Sequence, residues 1–419
     1  MPPDSMIPPV IPIPPPLSPP PTRQASPLRQ WLAILLSLCL GLFLADAVIS
    51  FVDASMGLLG GGHALMGVRM GVCLFAILLA VVVYGLMALT PAIPKRLFVP
   101  LALFYLVAEL LMVPLFLFCP GHLQQIDWVF SLAQVLLGLW LLGQAQGGFK
   151  FSWRLVPLDR LGARRFSWRN LIGFVLANVF GLVPAVMIYL FLCTAGAVNH
   201  FSEGFMTLRP GGFMVQVRKY VRPDGKTIQL FPMSHVAESD FYQNIAQTFP
   251  TNSIILMEGV TDEKHLLKNK INYQRMARKL GLAEQHEEFA PTRGVMVPAD
   301  IDVDQFTTNT LDVLNLVILI HTRGADAGTF QKLMQYSTTP DFQEQLLADL
   351  LQKRNQHLLE EIQTYLPQSE HLIVPWGVAH MPGIARQIQQ SGFKLAETRE
   401  YEVIRFHFFG NKGVHEKTK

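Results

Sequence analysis

The chain is poor in charge and poor in cysteine. Only 16% of its 419 residues are Asp, Glu, Lys or Arg, against 50% hydrophobic. A soluble fold of this length carries about 25% charged residues, so one water-facing globule is excluded. The four cysteines, Cys39, Cys73, Cys119 and Cys193, all lie in or at the ends of apolar runs, which excludes a disulfide scaffold. The half beyond residue 199 has none, so it can fold in an oxidising or a reducing compartment. Positive charge is also missing where nucleic acid would need it. Before residue 199 there are eleven Lys and Arg against six Asp and Glu, and after it twenty-three against twenty-five. The basic excess therefore sits between apolar segments, and no nucleic-acid partner is expected.

Proline is concentrated at one end: twelve of the first 30 residues, too many for a helix or a core. The expectation is a disordered, partly polyproline II tail over 1–30. A cleavable signal peptide is excluded, because the first apolar run begins at Trp31 and is long enough to span. Five segments approach the roughly 20 apolar residues that cross a bilayer. They are 31–51, 68–89, 97–118, 126–145 and 171–195.

Arg23 and Arg29 precede the first span, Lys95 and Arg96 follow the second, and Lys150, Arg154, Arg160, Arg164, Arg165 and Arg169 follow the fourth. Basic loops stay inside, so the N-terminus is expected in the cytoplasm. An odd number of spans then puts the rest, beyond 199, on the periplasmic or extracellular side. The expected setting is an integral membrane protein of a bacterial inner membrane. Asp46 and Arg69 are read as snorkelling near span ends, and Glu109 has no matching cation in the neighbouring spans. Pro114 and Pro184 are tolerated kinks. The membrane half reads mainly as an anchor.

Beyond residue 200 the pattern becomes that of a mixed α/β domain over 200–410, followed by a solvated tail over 411–419. FMVQVRKYV and TIQLFPM, joined by RPDGK, read as a hairpin. Then follow a helix over 238–248, the strand SIILMEG, a charged helix over 261–281, the strand GVMVP, and helices over 303–321 and 325–365 with a break near Gly324. The strand HLIVPWG, a helix ending at Gly392, and two closing strands, FKLAETRE and YEVIRFHF, complete it. The run ending at His321 is too short for a sixth span.

Four features could carry chemistry: His235 in FPMSHVAESDFY, Glu258 in SIILMEGV, Arg354 with Asn355 in LLQKRNQHLL, and His380 in HLIVPWGVAHMPGI. His235, Glu258 and His380 each follow an apolar strand, so parallel strands would bring them to one rim. Two imidazoles and a carboxylate are a common minimal set for a divalent ion with open positions. Each residue also has a structural reading, as a loop or cap residue or, for Arg354 and Asn355, as a solvated helix face. Asp300, Asp302 and Asp304 lack the Gly and distant Glu of an EF-hand and read as a polar helix start.

In their order these motifs resemble the TraB/GumN family, which includes the Tiki membrane proteases and is similar at fold level to erythromycin esterase-like proteins. The match spans about 213–408 and rests on PMSH, LMEG, KRN and GVAHMPGI, with Gly377, His380, Pro382 and Gly383 the most specific part. One departure is Pro232, which stands where the family has its first glycine, with Met233 where a Thr is usual. The resemblance implies a metal-dependent hydrolase, in the Tiki members a peptidase using manganese or cobalt, while zinc stays open. His235 and His380 would hold or flank the metal, and Glu258 would be a ligand or the general base. Arg354 and Asn355 would orient a peptide or protein substrate or its oxyanion. Two alternatives stand beside this reading: a non-catalytic receptor that sequesters a peptide, motivated by Pro232, and transport through the spans, motivated by Glu109.

Overall fold

The computed structural model describes residues 26–148, 154–163, 166–268, 273–324, 326–337 and 341–406. The expected N- and C-terminal tails therefore lie outside the described residues, apart from the last few positions before Trp31, as do Lys150, Arg164 and Arg165. Two compact units part between Met187 and Ile188, inside the last apolar helix and not after it at 199.

The first unit contains α1 (Pro27–Leu58), α2 (Met66–Leu89), α3 (Lys95–Phe118) and α4 (Leu123–Gln146). It also holds α5 (Trp168–Ala177), which runs on as α6 (Val183–Phe201) across the division between the units. With α5 and α6 taken as one, five helices among the described residues are long and apolar enough to cross a membrane. The join between α5 and α6 is a π turn, Asn178–Leu182. Pro184, just beyond it, has no N–H to give to the preceding turn, and the wider winding takes up that loss. Ser167 caps α5 by accepting from the Asn170 N–H.

Two sequence expectations change in this unit. α1 starts at Pro27, where a first-turn proline costs nothing, and continues to Leu58. Asp46 is therefore well inside a helix and cannot snorkel. It is 1% exposed and hydrogen-bonded by Tyr105 and Gln134. Arg69 does lie at a span end, in the first turn of α2, where it is partly exposed and pairs with Asp127 at 2.5 Å.

The second unit is built on a seven-stranded sheet. Its strands are β1 (Met206–Arg209), β2 (Gly212–Val221), β3 (Thr227–Met233), β5 (Ser253–Met257), β7 (Val295–Pro298), β8 (His371–Gly377) and β9 (Lys394–Arg405). β4 (Val236–Ala237) and β6 (Ala283–Glu284) form a small separate pair. Between the strands lie α7 (Ser239–Gln247), α8 (Gln274–Leu280), α9 (Gln285–Glu288) and α10 (Thr308–Arg323). Further on come α11 (Ala327–Ser337), α12 (Phe342–Leu347), α13 (Arg354–Tyr365) and α14 (Met381–Gln390).

The order is β1-β2-β3-β8-β5-β7, with β9 on the free side of β2. β3, β8, β5 and β7 are mutually parallel, and the strands around β2 are antiparallel. β8 lies between two parallel neighbours, so its continuous apolar run serves both faces. Leu372, Val374 and Trp376 point to the side covered by α13 and α14, where Leu358, Ile362, Met381 and Ile384 meet them. Ile373 points to the other side, against Phe241, Tyr242 and Ile245 of α7. This period-two alternation makes a three-layer α/β unit with the sheet in the middle.

Three segments differ from the sequence reading. Among the described residues of the charged stretch 261–281 only α8 is helical, because side chains capture the backbone before it. Asp262 accepts from the Leu266 and Leu267 N–H groups and Asp302 from that of Glu263, bonds that compete with a helix. The two closing strands are one, β9, a long edge strand whose many charges discourage further pairing. It runs so close to the start of β2 that only a glycine fits at Gly212, φ +151°, against the carbonyl of Ile404. The break expected near Gly324 is present, and the chain beyond it forms α11, α12 and α13. α12 and α13 are joined by a π turn, Ala348–Lys353.

Candidate active site

The parallel strands bring the chemistry to one end of the sheet. Glu258 follows β5, Asp300 follows β7, and Gly377 closes β8 with His380 one short turn later. The polar atoms converge on Arg354, the first residue after the π turn between α12 and α13. A π turn adds a residue and re-phases the helix, as often seen at functional sites.

All five guanidinium N–H groups find partners. Nε donates to Asp300 Oδ1 at 3.0 Å, and Nη2 to Asp300 Oδ2 at 2.6 Å and Glu258 Oε1 at 2.8 Å. Nη1 donates to His380 Nε2 at 3.1 Å and, less directly, to the Leu350 carbonyl at 3.4 Å. Burial would lower the Arg354 pKa, but the hydrogen bonds and charge of Asp300, then Glu258, hold it above its ordinary value. The Asp300 side chain is fully buried, and those of Arg354 and Glu258 are 13% exposed.

His380 completes the cluster from behind. Its Nε2 accepts from Arg354, so Nδ1 carries the hydrogen and donates to Asn355 Oδ1 at 2.7 Å. Burial, then the Arg354 charge, drive its pKa from 6.5 to about 4, partly offset by Glu258 and Asp300. The ring also packs edge-on against Trp376, centroids 5.1 Å apart. Trp376 is anchored by its own N–H, which donates to the Leu256 carbonyl at 3.0 Å.

The Gly377 N–H donates to Glu258 Oε2 at 2.5 Å, a bond that a backbone of any residue but proline could make. A Cβ on Gly383 would fall 2.8 Å from Asn355 Nδ2, so a side chain there would push Asn355 off His380. Pro382 occupies the first turn of α14, where no N–H is missed.

Glu258 and Arg354 also line a cavity of about 850 Å3 with His235, Tyr273, His265 and His286. Its apolar lining includes Phe306, Leu314, Ile318 and Leu350. His235 is exposed, held at the backbone by Gln285 and stacked on Tyr273 at 4.7 Å and 12°. Burial, then the carboxylates of Glu258 and Glu284, keep the Tyr273 hydroxyl protonated above its usual range.

Of the residues expected at the site, Glu258, Arg354, Asn355 and His380 thus form one connected network, while His235 faces the same cavity from outside it. Pro232 is accommodated in β3 opposite Trp376, beyond Leu230 where the β2 pairing ends, in the extended conformation that proline allows near a sheet edge. No glycine is required there. Met233 fills the core beneath α7. Asp302 acts as the cap of a short turn and Asp304 pairs with Lys264, in keeping with a polar helix start. The side chain of His321 lies outside the described residues.

The implied metal is a poor fit to this arrangement. Glu258 Oε1 and His380 Nε2 are 3.5 Å apart, but a cation, Arg354, already joins them. His235 stacks elsewhere, and among the described residues no three His, Cys, Asp or Glu side chains form a group that could hold an ion.

No protein-family model, curated protein or solved structure matches the chain.

The depressed His380 pKa gives a signed pH dependence. Unfolded, the imidazole takes a proton near 6.5, whereas folded it stays neutral to about 4. Lowering pH through that window favours the unfolded chain, by up to about 3 kcal/mol once both values are passed. Melting of the full chain in detergent should fall across this range more steeply for wild type than for His380→Gln. Equal slopes would contradict the assignment.

Proposed function

We propose that the second unit is a membrane-tethered hydrolase acting on a peptide bound in the 850 Å3 cavity. The observation that carries this reading is a carboxylate, Glu258, fixed through both oxygens in the lining of a cavity that also has apolar side chains, Phe306, Leu314, Ile318 and Leu350. Such a cavity suits a ligand with an apolar side chain and a polar reacting group. Glu258 takes a proton from a water molecule as the water oxygen bonds to the carbonyl carbon. The same proton then passes to the departing amine as the C–N bond breaks. His235 and Tyr273, on the cavity wall, are placed to donate to the substrate carbonyl and leaving group. Arg354, whose N–H groups are all engaged, serves as the clamp that holds Glu258, with His380 and Asn355 fixing the clamp in turn.

A second reading is favoured by that same closure. Because every Arg354 N–H is engaged and both Glu258 oxygens already accept hydrogen bonds, the cavity can retain a peptide without cleaving it. Peptide cleavage by the full chain in lipid nanodiscs separates the two. Glu258→Gln should lower turnover by about 10²–10⁴-fold with binding retained, and wild-type turnover should survive a chelator. Binding without product would favour sequestration. Turnover lost to the chelator and restored by manganese or cobalt would overturn the metal-free roles of Glu258, His235 and Tyr273.

We further propose that the N-terminus is cytoplasmic and the second unit lies across the membrane from it. The basic flanks of the second and fourth apolar helices, and the odd number of such helices, support this. In right-side-out vesicles a membrane-impermeant thiol reagent should label Gln389→Cys directly and Asp159→Cys only after permeabilisation. The reverse pattern would contradict the orientation.

A further inference from the structure

The membrane unit contains a polar seam that an anchor does not need. The buried face of α1 carries Asp46, Ser50 and Asp53, and that of α4 carries Ser131 and Gln134. The seam is closed at one end by charge. Asp53 accepts from His63 Nδ1 at 3.1 Å and the Leu65 N–H at 2.9 Å, and stands 3.6 Å from Arg69. Arg69 is held by Asp127 through bonds of 2.8 and 2.5 Å. The His63 side chain is 43% exposed and that of Asp53 only 1%, so this end leads from solvent into the bundle.

Two turns deeper, about 10 Å by helix rise, lies Asp46. Its Oδ2 accepts from Gln134 Nε2 at 2.8 Å and the Tyr105 hydroxyl at 3.1 Å. Among the described residues its Oδ1 is buried and receives no N–H or O–H donor, the further donor near this carboxyl being the weak Cys73 thiol of α2. An ionised oxygen without an N–H or O–H donor in an apolar interior is uncompensated, and a proton on it removes the charge. A metal cation is less suited, because it needs several oxygens at once and Oδ2 already receives two donors. The groups that act on Asp46 and its neighbours are Cys39 and Asp53 on α1, Arg69 and Cys73 on α2, Tyr105 and Glu109 on α3, and Asp127 on α4. Arg69 is the cation in this set, and Asp127 already holds it.

We propose that Asp46 is a proton-binding site within the membrane unit, loaded from the His63 end of the seam by way of Asp53. A proton taken up by the His63 imidazole passes to the Asp53 carboxylate. It then moves past Ser50 to Oδ1 of Asp46, leaving the imidazole neutral.

The test is pH-difference infrared spectroscopy of the full chain in lipid nanodiscs, paired with a hydrophobic carbodiimide that modifies only protonated, buried carboxyls. As pH falls, a carboxylic-acid carbonyl band should grow in wild type and be missing in Asp46→Asn. The mapped adduct at Asp46 should rise in parallel. After a pH jump, Asp53→Asn should delay the band by about a hundredfold. If Asp46→Asn fails to fold, the wild-type adduct decides alone. No band and no adduct at Asp46, or an adduct indifferent to pH, overturns the site. An undelayed band in Asp53→Asn overturns the route.

Discussion

One guanidinium holds the end of the α/β unit together. Arg354 joins the exits of three adjacent parallel strands, taking Asp300 after β7, Glu258 after β5 and His380 after β8. Buried charges are tolerated only when paired and hydrogen-bonded, so each of these groups depends on the others. The dependence extends outward. Asn355 fixes His380, Gly383 leaves room for Asn355, and Trp376 supports the His380 ring. What remains accessible is one edge of the network, Glu258 and Arg354, facing the cavity.

Much of this is legible in the residues. Apolar runs ending in Glu258 and Gly377 announce buried strands, and their shared placement at strand exits anticipates a common rim, which the parallel β3-β8-β5-β7 order provides. Asp300 reads in the sequence only as part of an acidic triplet, although it follows GVMVP as Glu258 follows SIILM. The rule that singles out Glu258 would find it too. Arg354 reads as substrate-facing because a sequence does not show that every N–H is already used. The π turn that aims it has no signature in ADLLQK.

Other misreadings share a cause: contacts distant in sequence override local pattern. The stretch 261–281 has helical composition, but Asp302, some 40 residues on, captures the Glu263 N–H and the Thr261 hydroxyl. Asp46 looks close to a span end because the apolar count stops near residue 51. α1 continues through Asp53 and Ala54 because partners on α2 and α4 satisfy its polar side chains. The two units thus bury charge in different ways: every Arg354 N–H is engaged, whereas in the α1–α4 seam Asp46 Oδ1 receives no N–H or O–H donor among the described residues.

The most direct test of Arg354 as the organising cation is chemical denaturation of the full chain as wild type, Arg354→Met, and Arg354→Met with Glu258→Gln and Asp300→Asn. Removing the cation alone leaves two carboxylates unpaired and should cost about 3–5 kcal/mol. Neutralising them should recover more than half of that loss. An Arg354→Met chain within about 0.5 kcal/mol of wild type, or a triple variant no better than the single, would contradict the claim that this ion network organises the site.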